Sequence, residues 1–275
     1  MSDPEPVFLG HLRAPSGVVA LLDMGLLGPW CVDPEAHRAG LGAAVARGPA
    51  PFVVAGLQGV ALTGLPRDRE LPVFGVRVEG GEFKGLWQAV FLEIQPGVPA
   101  ARTVELGAVV VDTGRVLCAD ADALSAWVHE EPIDGLADFV FWGDGAAATA
   151  AVTGATDLGE GLFGWLDVPY DDAVEHGMDV EDHRDEHGLD FATDFRPHSH
   201  HHQLLSQMRE AASEAGTLAL GDAQLVGFFT MWGDGQFPVM LDLDAEGAPT
   251  RCGIYFATKQ AMLALHSLRH ASEFD

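Results

Sequence analysis

Trp232-Gly233-Asp234-Gly235-Gln236-Phe237-Pro238-Val239-Met240-Leu241-Asp242-Leu243-Asp244, continuing through Ala245-Glu246-Gly247 to Phe256, decides how this chain is read. Gly233-Asp234-Gly235 is a turn: glycine reaches positive φ and aspartate bonds back to the backbone. From Phe237 the residues alternate, so Val239, Leu241 and Leu243 share one face and Met240, Asp242 and Asp244 the other. The stretch therefore predicts strand 224–232, a turn, strand 237–244, a second turn at 245–249 and strand 251–256. Val239, Leu241 and Leu243 are the expected core, and Trp232 is expected to pack under the turn.

Working outward, Gln203–Ala215 carries Leu204, Leu205, Met208, Ala211 and Ala212 on one helical face and predicts an amphipathic helix ending at Gly216. A last helix is expected over Thr258–His270. Before these, Asp138–Trp142 reads as a strand, Ala146–Thr153 as a short helix and Leu162–Leu166 as a strand. Asp120 or Asp122 is placed to cap a helix over Ala123–His129. The first hundred residues are mostly short apolar runs between Gly and Pro, hence strands, with one Ala-rich helix over Pro34–Arg47 entered through Asp33. The expected class is α+β: largely antiparallel sheet with helices packed on one side and a helical C-terminus. Residues 1–100 read as a β-rich subdomain, with a boundary near Pro96–Ala101. Residues 101–275 read as an α+β domain interrupted by a polar excursion at 171–202.

The 275 residues suffice for one large domain or two modest ones. Hydrophobic residues at 48% and charged residues at 20% exclude disorder. Forty-one acidic against fifteen basic residues leave a net charge of −26, which disfavours nucleic acid and anionic membranes and would favour a basic protein partner. Cys31, Cys118 and Cys252 lie singly in apolar settings and read as buried thiols in a reducing cytoplasm. The opening MSDPEPVFLG lacks a basic segment followed by an apolar core, so no secretory signal is expected. No apolar run approaches the ~20 residues of a membrane span.

Four groups are weighed for chemistry. Asp112-Thr113-Gly114 follows an apolar strand as in aspartic protease loops, and Asp23-Met24-Gly25 is the one candidate second loop. Met24 lacks the hydroxyl, and Arg115 would hold Asp112 ionised, so a strand-ending turn is the simpler reading. Residues 171–202 hold ten carboxylates and seven of the twelve histidines (His176, His183, His187, His198, His200, His201 and His202). His183 and His187 are spaced for one helix face, but no HExxH and no thiolate accompany them, so a solvated linker is preferred to a metal site. Gly143-Asp144-Gly145 lies between strand and helix, where Asp144 would repel phosphate and is expected to cap the helix. Trp232 beside Asp234 could anchor a partner, since Trp is favoured at binding hot spots. Trp232, Asp234, Asp112 and Asp144 are the candidate binding residues. No catalytic residue, metal ligand or cofactor is assigned.

The hairpin also carries a resemblance. Gly233–Val239 followed by Asp244-Ala245-Glu246-Gly247 resembles the end of the bacterial domain-of-unknown-function 4241 family, and Val109–Asp120 (VVVDTGRVLCAD) resembles that family's earlier strand. Phe141–Tyr170 is similar to actinobacterial proteins of unknown role. The likeness spans about the C-terminal two-thirds of the chain. It implies a bacterial cytoplasmic protein and brings no activity with it. The reading is a non-enzymatic binding protein, of immunity type, facing a basic partner. The alternatives are a metal-dependent hydrolase using the carboxylates and histidines of 171–202, and a small-molecule binding domain. Oligomeric state is not legible.

Overall fold

The computed structural model describes residues 5–28, 34–259 and 262. Cys31, Asp33 and all of the expected C-terminal helix but Thr258, Lys259 and Met262 lie outside them. The described chain divides into two compact units, 1–127 with 204–275, and 128–203. The boundary expected near residues 96–101 falls inside the first of these. No helix among the described residues is long and apolar enough to cross a membrane.

The first unit is built on one antiparallel sheet of twelve strands. Its strands are β1 (Val7–Arg13), β2 (Val18–Asp23), β3 (Ala50–Val54), β4 (Leu57–Thr63), β5 (Glu70–Arg77), β6 (Trp87–Glu93), β7 (Arg102–Val111), β8 (Arg115–Asp120), β13 (Ala215–Leu220), β14 (Ala223–Phe229), β15 (Gly235–Leu243) and β16 (Pro249–Tyr255). The order runs β3-β4-β2-β8-β14-β1-β5-β6-β16-β15-β7, with β13 also on β14. The sheet curls until its ends meet: Gln58 Nε2 on β4 donates to the Ala108 carbonyl on β7 at 2.8 Å. Closure protects the edges and encloses a core containing Val19, Leu21, Val60, Val109, Val111, Val239 and Leu241.

Alternation along β2 shows how the layers arise. Val19 and Leu21 enter that core, while Ala20 and Leu22 join a second cluster on the opposite face. This second cluster is covered by Leu41 and Ala44 of α1 (Pro34–Val45) and by Leu204, Leu205 and Met208 of α4 (His200–Glu210).

This architecture corrects the expected class. The protein is mostly antiparallel β with a nearly closed, barrel-like sheet, not a helix layer on a sheet. The physical reason is that a curled sheet buries its own inner face, so short helices need cover only part of its exterior. Two local expectations fail for related reasons. α4 ends at Glu210, and Gly216 lies in β13, where a Cβ would meet Gln207 Cβ at 2.9 Å. Ala123–His129 forms only a 3-10 turn, Ala123–Ala126, held by Asp120 Oδ1 on the amides of Asp122 and Ala123. Three strands form within 223–256 with Val239, Leu241 and Leu243 buried, but the first ends at Phe229 and pairs with β13, β1 and β8, so only β15 and β16 make a hairpin.

The second unit is a four-stranded antiparallel sheet, β10-β11-β9-β12, comprising β9 (Leu136–Gly143), β10 (Thr156–Gly159), β11 (Leu162–Pro169) and β12 (Phe191–Pro197). Between them run α2 (Ala146–Thr153) and α3 (Tyr170–His187). The polar run expected to be a solvated linker is thus folded. Ala173, Gly177 and Val180 are the buried stripe of α3, and Gly177 lets Phe139 approach to 3.0 Å of its Cβ position. Phe139, Phe141, Phe191, Ala146, Ala150 and Val180 form the core of this unit.

Candidate metal centre

Three strand ends of the smaller unit converge on one imidazole. β12 pairs with β9 in the register Pro197↔Ala137 and Arg196↔Asp138, so His198 emerges beside the start of β9. On the other side of β9, the register of β11 slips between Trp165↔Phe139 and Val168↔Ala137. That bulge turns Asp167 into a left-handed conformation (φ 53°), which aspartate tolerates better than most residues. Its amide then donates to Asp138 Oδ1 at 2.8 Å. Asp134 enters from the loop before β9, with Oδ1 accepting from the Leu136 amide at 2.9 Å.

His198 Nδ1 lies 2.9 Å from Asp134 Oδ2, and Nε2 lies 3.2 Å from Asp138 Oδ1 and 3.8 Å from Asp167 Oδ1. His198 and Asp138 are largely buried, whereas the Asp167 side chain is 79% exposed. Burial of the imidazole opposes its charge, but the hydrogen bonds and charges of Asp134 and Asp138 outweigh it and raise the His198 pKa. The hydrogen bond from His198, joined by the Leu136 amide, holds Asp134 below the usual carboxylate range. Without an ion, a protonated His198 would donate from both nitrogens to flanking carboxylates. Three carboxylates surround the one ring, so the group keeps an excess of formal negative charge even with the imidazole protonated.

The same geometry suits a divalent ion. One ligand atom each from Asp138, Asp167 and His198 lie within 4.8 Å of one another. Donors at ~2.1 Å from a tetrahedral ion stand about 3.4 Å apart, close to the separations of His198 Nε2 from both carboxylates. Replacing the Nε2 proton by the ion would leave Nδ1–H on Asp134, the carboxylate–histidine–metal arrangement that fixes the ring and raises its basicity. One imidazole with two carboxylates suits zinc or manganese better than calcium.

Of the histidines singled out by composition, only His198 enters this group. The His183 and His187 rings pack against each other, tilted by 34° with centroids 4.1 Å apart, and His187 Nδ1 faces the His183 carbonyl at 2.9 Å. His176 stacks on Trp165. His200 Nδ1 accepts from the Val128 amide at 2.9 Å, and burial lowers its pKa, as a neutral acceptor requires. The partners Asp134, Asp138 and Asp167 lie outside 171–202 and were not legible there. The one local trace of them is a carboxylate at either end of a strand pair, Ala137-Asp138-Phe139 and Leu166-Asp167-Val168.

Three of the four candidate binding residues fall on adjoining turns: Gly235 pairs with Val111 and the Thr230 amide donates to the Gly114 carbonyl at 2.9 Å, which brings the 232–234 turn beside Asp112. Trp232 is buried, with Nε1 donating to the Trp87 carbonyl at 2.7 Å, so it anchors the fold. The turn beside it is closed by Thr230 Oγ1, which donates to the Gly233 carbonyl and accepts from the Trp232 amide. Asp234 is exposed. Asp144 belongs to the smaller unit, is exposed, and does not cap α2, whose N-terminal residue Gly145 has no side-chain cap bond. Asp112 is exposed, while Asp23 is buried and accepts from the amides of Gly25, Asp112 and Thr113 and from Thr113 Oγ1. With its oxygens occupied by three amides and the Thr113 hydroxyl, Asp23 locks the 112–114 turn. Asp242 is buried against Arg251 and Thr103, and Asp244 caps its own turn. Cys118 and Cys252 are buried free thiols, the former pushed up to about 12 by desolvation.

Fold and site together define an antiparallel β protein with a carboxylate–histidine cluster on its smaller unit. No family model, no curated protein and no solved structure matches the chain.

Proposed function

We propose that the protein binds a divalent metal ion, zinc or manganese, through Asp138, Asp167 and His198, with Asp134 orienting the imidazole. The observation that carries this is the meeting of three donor atoms from three separate strand ends, with the far ring nitrogen already anchored on a carboxylate. Three protein donors, one of them exposed, leave room for water on the ion, as in sites that perform hydrolysis rather than purely structural sites. Hydrolysis is therefore the activity to assay with metal loaded. The test is metal analysis of untagged protein purified without chelating resin. Near-stoichiometric zinc or manganese supports the reading, and a metal content far below one ion per chain that exogenous metal does not restore counts against it.

A second reading is supported by α3. All eight of its carboxylates (Asp171, Asp172, Glu175, Asp179, Glu181, Asp182, Asp185 and Glu186) are exposed, and Val174 and Met178 are exposed among them. That face suits a basic protein partner, met at a rate that falls with salt. Charge reversal at Glu175, Asp179 and Asp182 should abolish any stoichiometric, salt-sensitive complex with such a partner. A complex unchanged by reversal would exclude this face. The likeness to the 4241 family supplies no activity and carries no part of either reading.

A further inference from the structure

An open cleft of about 360 Å³ lies between α1 and the segment that follows β8 in the larger unit. Its floor is apolar: Leu41 is buried, and Val18 and Val45 are half-buried. Its rim carries one charge of each sign, Arg38 on α1 and Asp122 after β8, both exposed. Neither forms an ion pair among the described residues, although a chain of net charge −26 offers many acids to an arginine. The backbone of Asp122 is fixed at this rim, its amide donating to Asp120 Oδ1 and its carbonyl accepting from Ser125 Oγ.

Gly42 completes the picture. It lies in α1, where glycine costs roughly 1 kcal/mol relative to alanine. A Cβ built there meets nothing within 4 Å, and the residue lines the cleft. No packing contact calls for glycine at this exposed position on the cleft wall.

We propose that this cleft binds a free α-amino acid with an apolar side chain. The carboxylate pairs with the Arg38 guanidinium, the ammonium group with Asp122, and the side chain rests on Val18, Leu41 and Val45. A small apolar pocket with a few convergent polar groups is the usual form of such sites, and this volume suits a small ligand. The overall negative field repels anions but not a zwitterion of zero net charge. Opposite charges on one rim distinguish a zwitterion from a simple carboxylate.

The test is calorimetric titration of the full chain with L-valine, L-leucine and L-phenylalanine, and with 4-methylpentanoate and leucinamide, which lack the ammonium and carboxylate groups of leucine. At least one amino acid should bind saturably. Both leucine analogues should bind about 10-fold or more weaker than leucine, each having lost a charged hydrogen-bonding group. Arg38→Gln should weaken amino-acid binding about 10-fold, and Asp122→Asn should weaken leucine while leaving 4-methylpentanoate unaffected. Gly42→Leu should melt at or above the wild-type temperature and abolish binding. If that variant fails to fold, the Arg38 and Asp122 variants decide. Absence of saturable binding at about 10 mM of all three amino acids would overturn the proposal. So would equal binding of leucine and its analogues, or undiminished binding by Arg38→Gln.

Discussion

Asp134 Oδ2 stands 2.9 Å from His198 Nδ1 while Asp134 Oδ1 accepts from the Leu136 amide, so one carboxylate fixes both the ring and the start of β9. The ring's other nitrogen is thereby aimed at Asp138. This relationship separates a prepared ligand from His176, His183, His187 and His200, whose rings pack on a neighbouring ring or bond to backbone.

Asp134→Asn should keep the fold, because Asp134 is an exposed loop residue. It should lower zinc affinity by roughly 10- to 100-fold, the usual effect of removing a partner that orients a ligand. Competition with a chromophoric chelator measures it. Unchanged affinity would mean that Asp134 does not orient the ligand.

Glu93 faces Arg251 across β6 and β16 and shares it with Asp242. Desolvation raises its pKa; Arg251 lowers it, and Asp242 raises it further. A carboxyl with a raised folded pKa favours folding while protonated. That contribution is present below its unfolded value and is lost as pH rises through the folded one. Glu93→Gln should therefore gain stability relative to wild type as pH rises from about 4 to 7, the range above the ordinary glutamate value. Urea denaturation at several pH values reads the difference.

Asp23→Ala should cost on the order of 3–5 kcal/mol, since it strands three amides and one hydroxyl around a fully buried site. Asp23→Asn, which keeps one acceptor oxygen, should cost less. Denaturant midpoints separate the two. Near-neutral behaviour of Asp23→Ala would show that the 112–114 turn is held by other bonds.

The parts of the fold readable in advance were those with local periodicity. Val239, Leu241 and Leu243 alternate between Gly and Asp turns, and α2 follows an Ala run bounded by glycines. Sheet closure was not readable, because the bond from Gln58 to Ala108 joins residues fifty apart through a curl that no local pattern records. α3 was hidden because its buried stripe is Ala173, Gly177 and Val180, too small to register as an apolar face among eight acids. At the site, His198 stood out by composition. Asp138 and Asp167 reach it only through strand register and the bulge after Trp165, which are properties of the paired sheet.

The central claim is tested most directly by calorimetric titration of zinc and manganese into untagged, chelator-stripped protein. Wild type and His183→Gln/His187→Gln should each show one saturable site per chain, and Asp138→Asn and His198→Gln should show none. No saturable site in wild type would contradict the account, as would a site kept by the Asp138 and His198 variants and lost with His183 and His187.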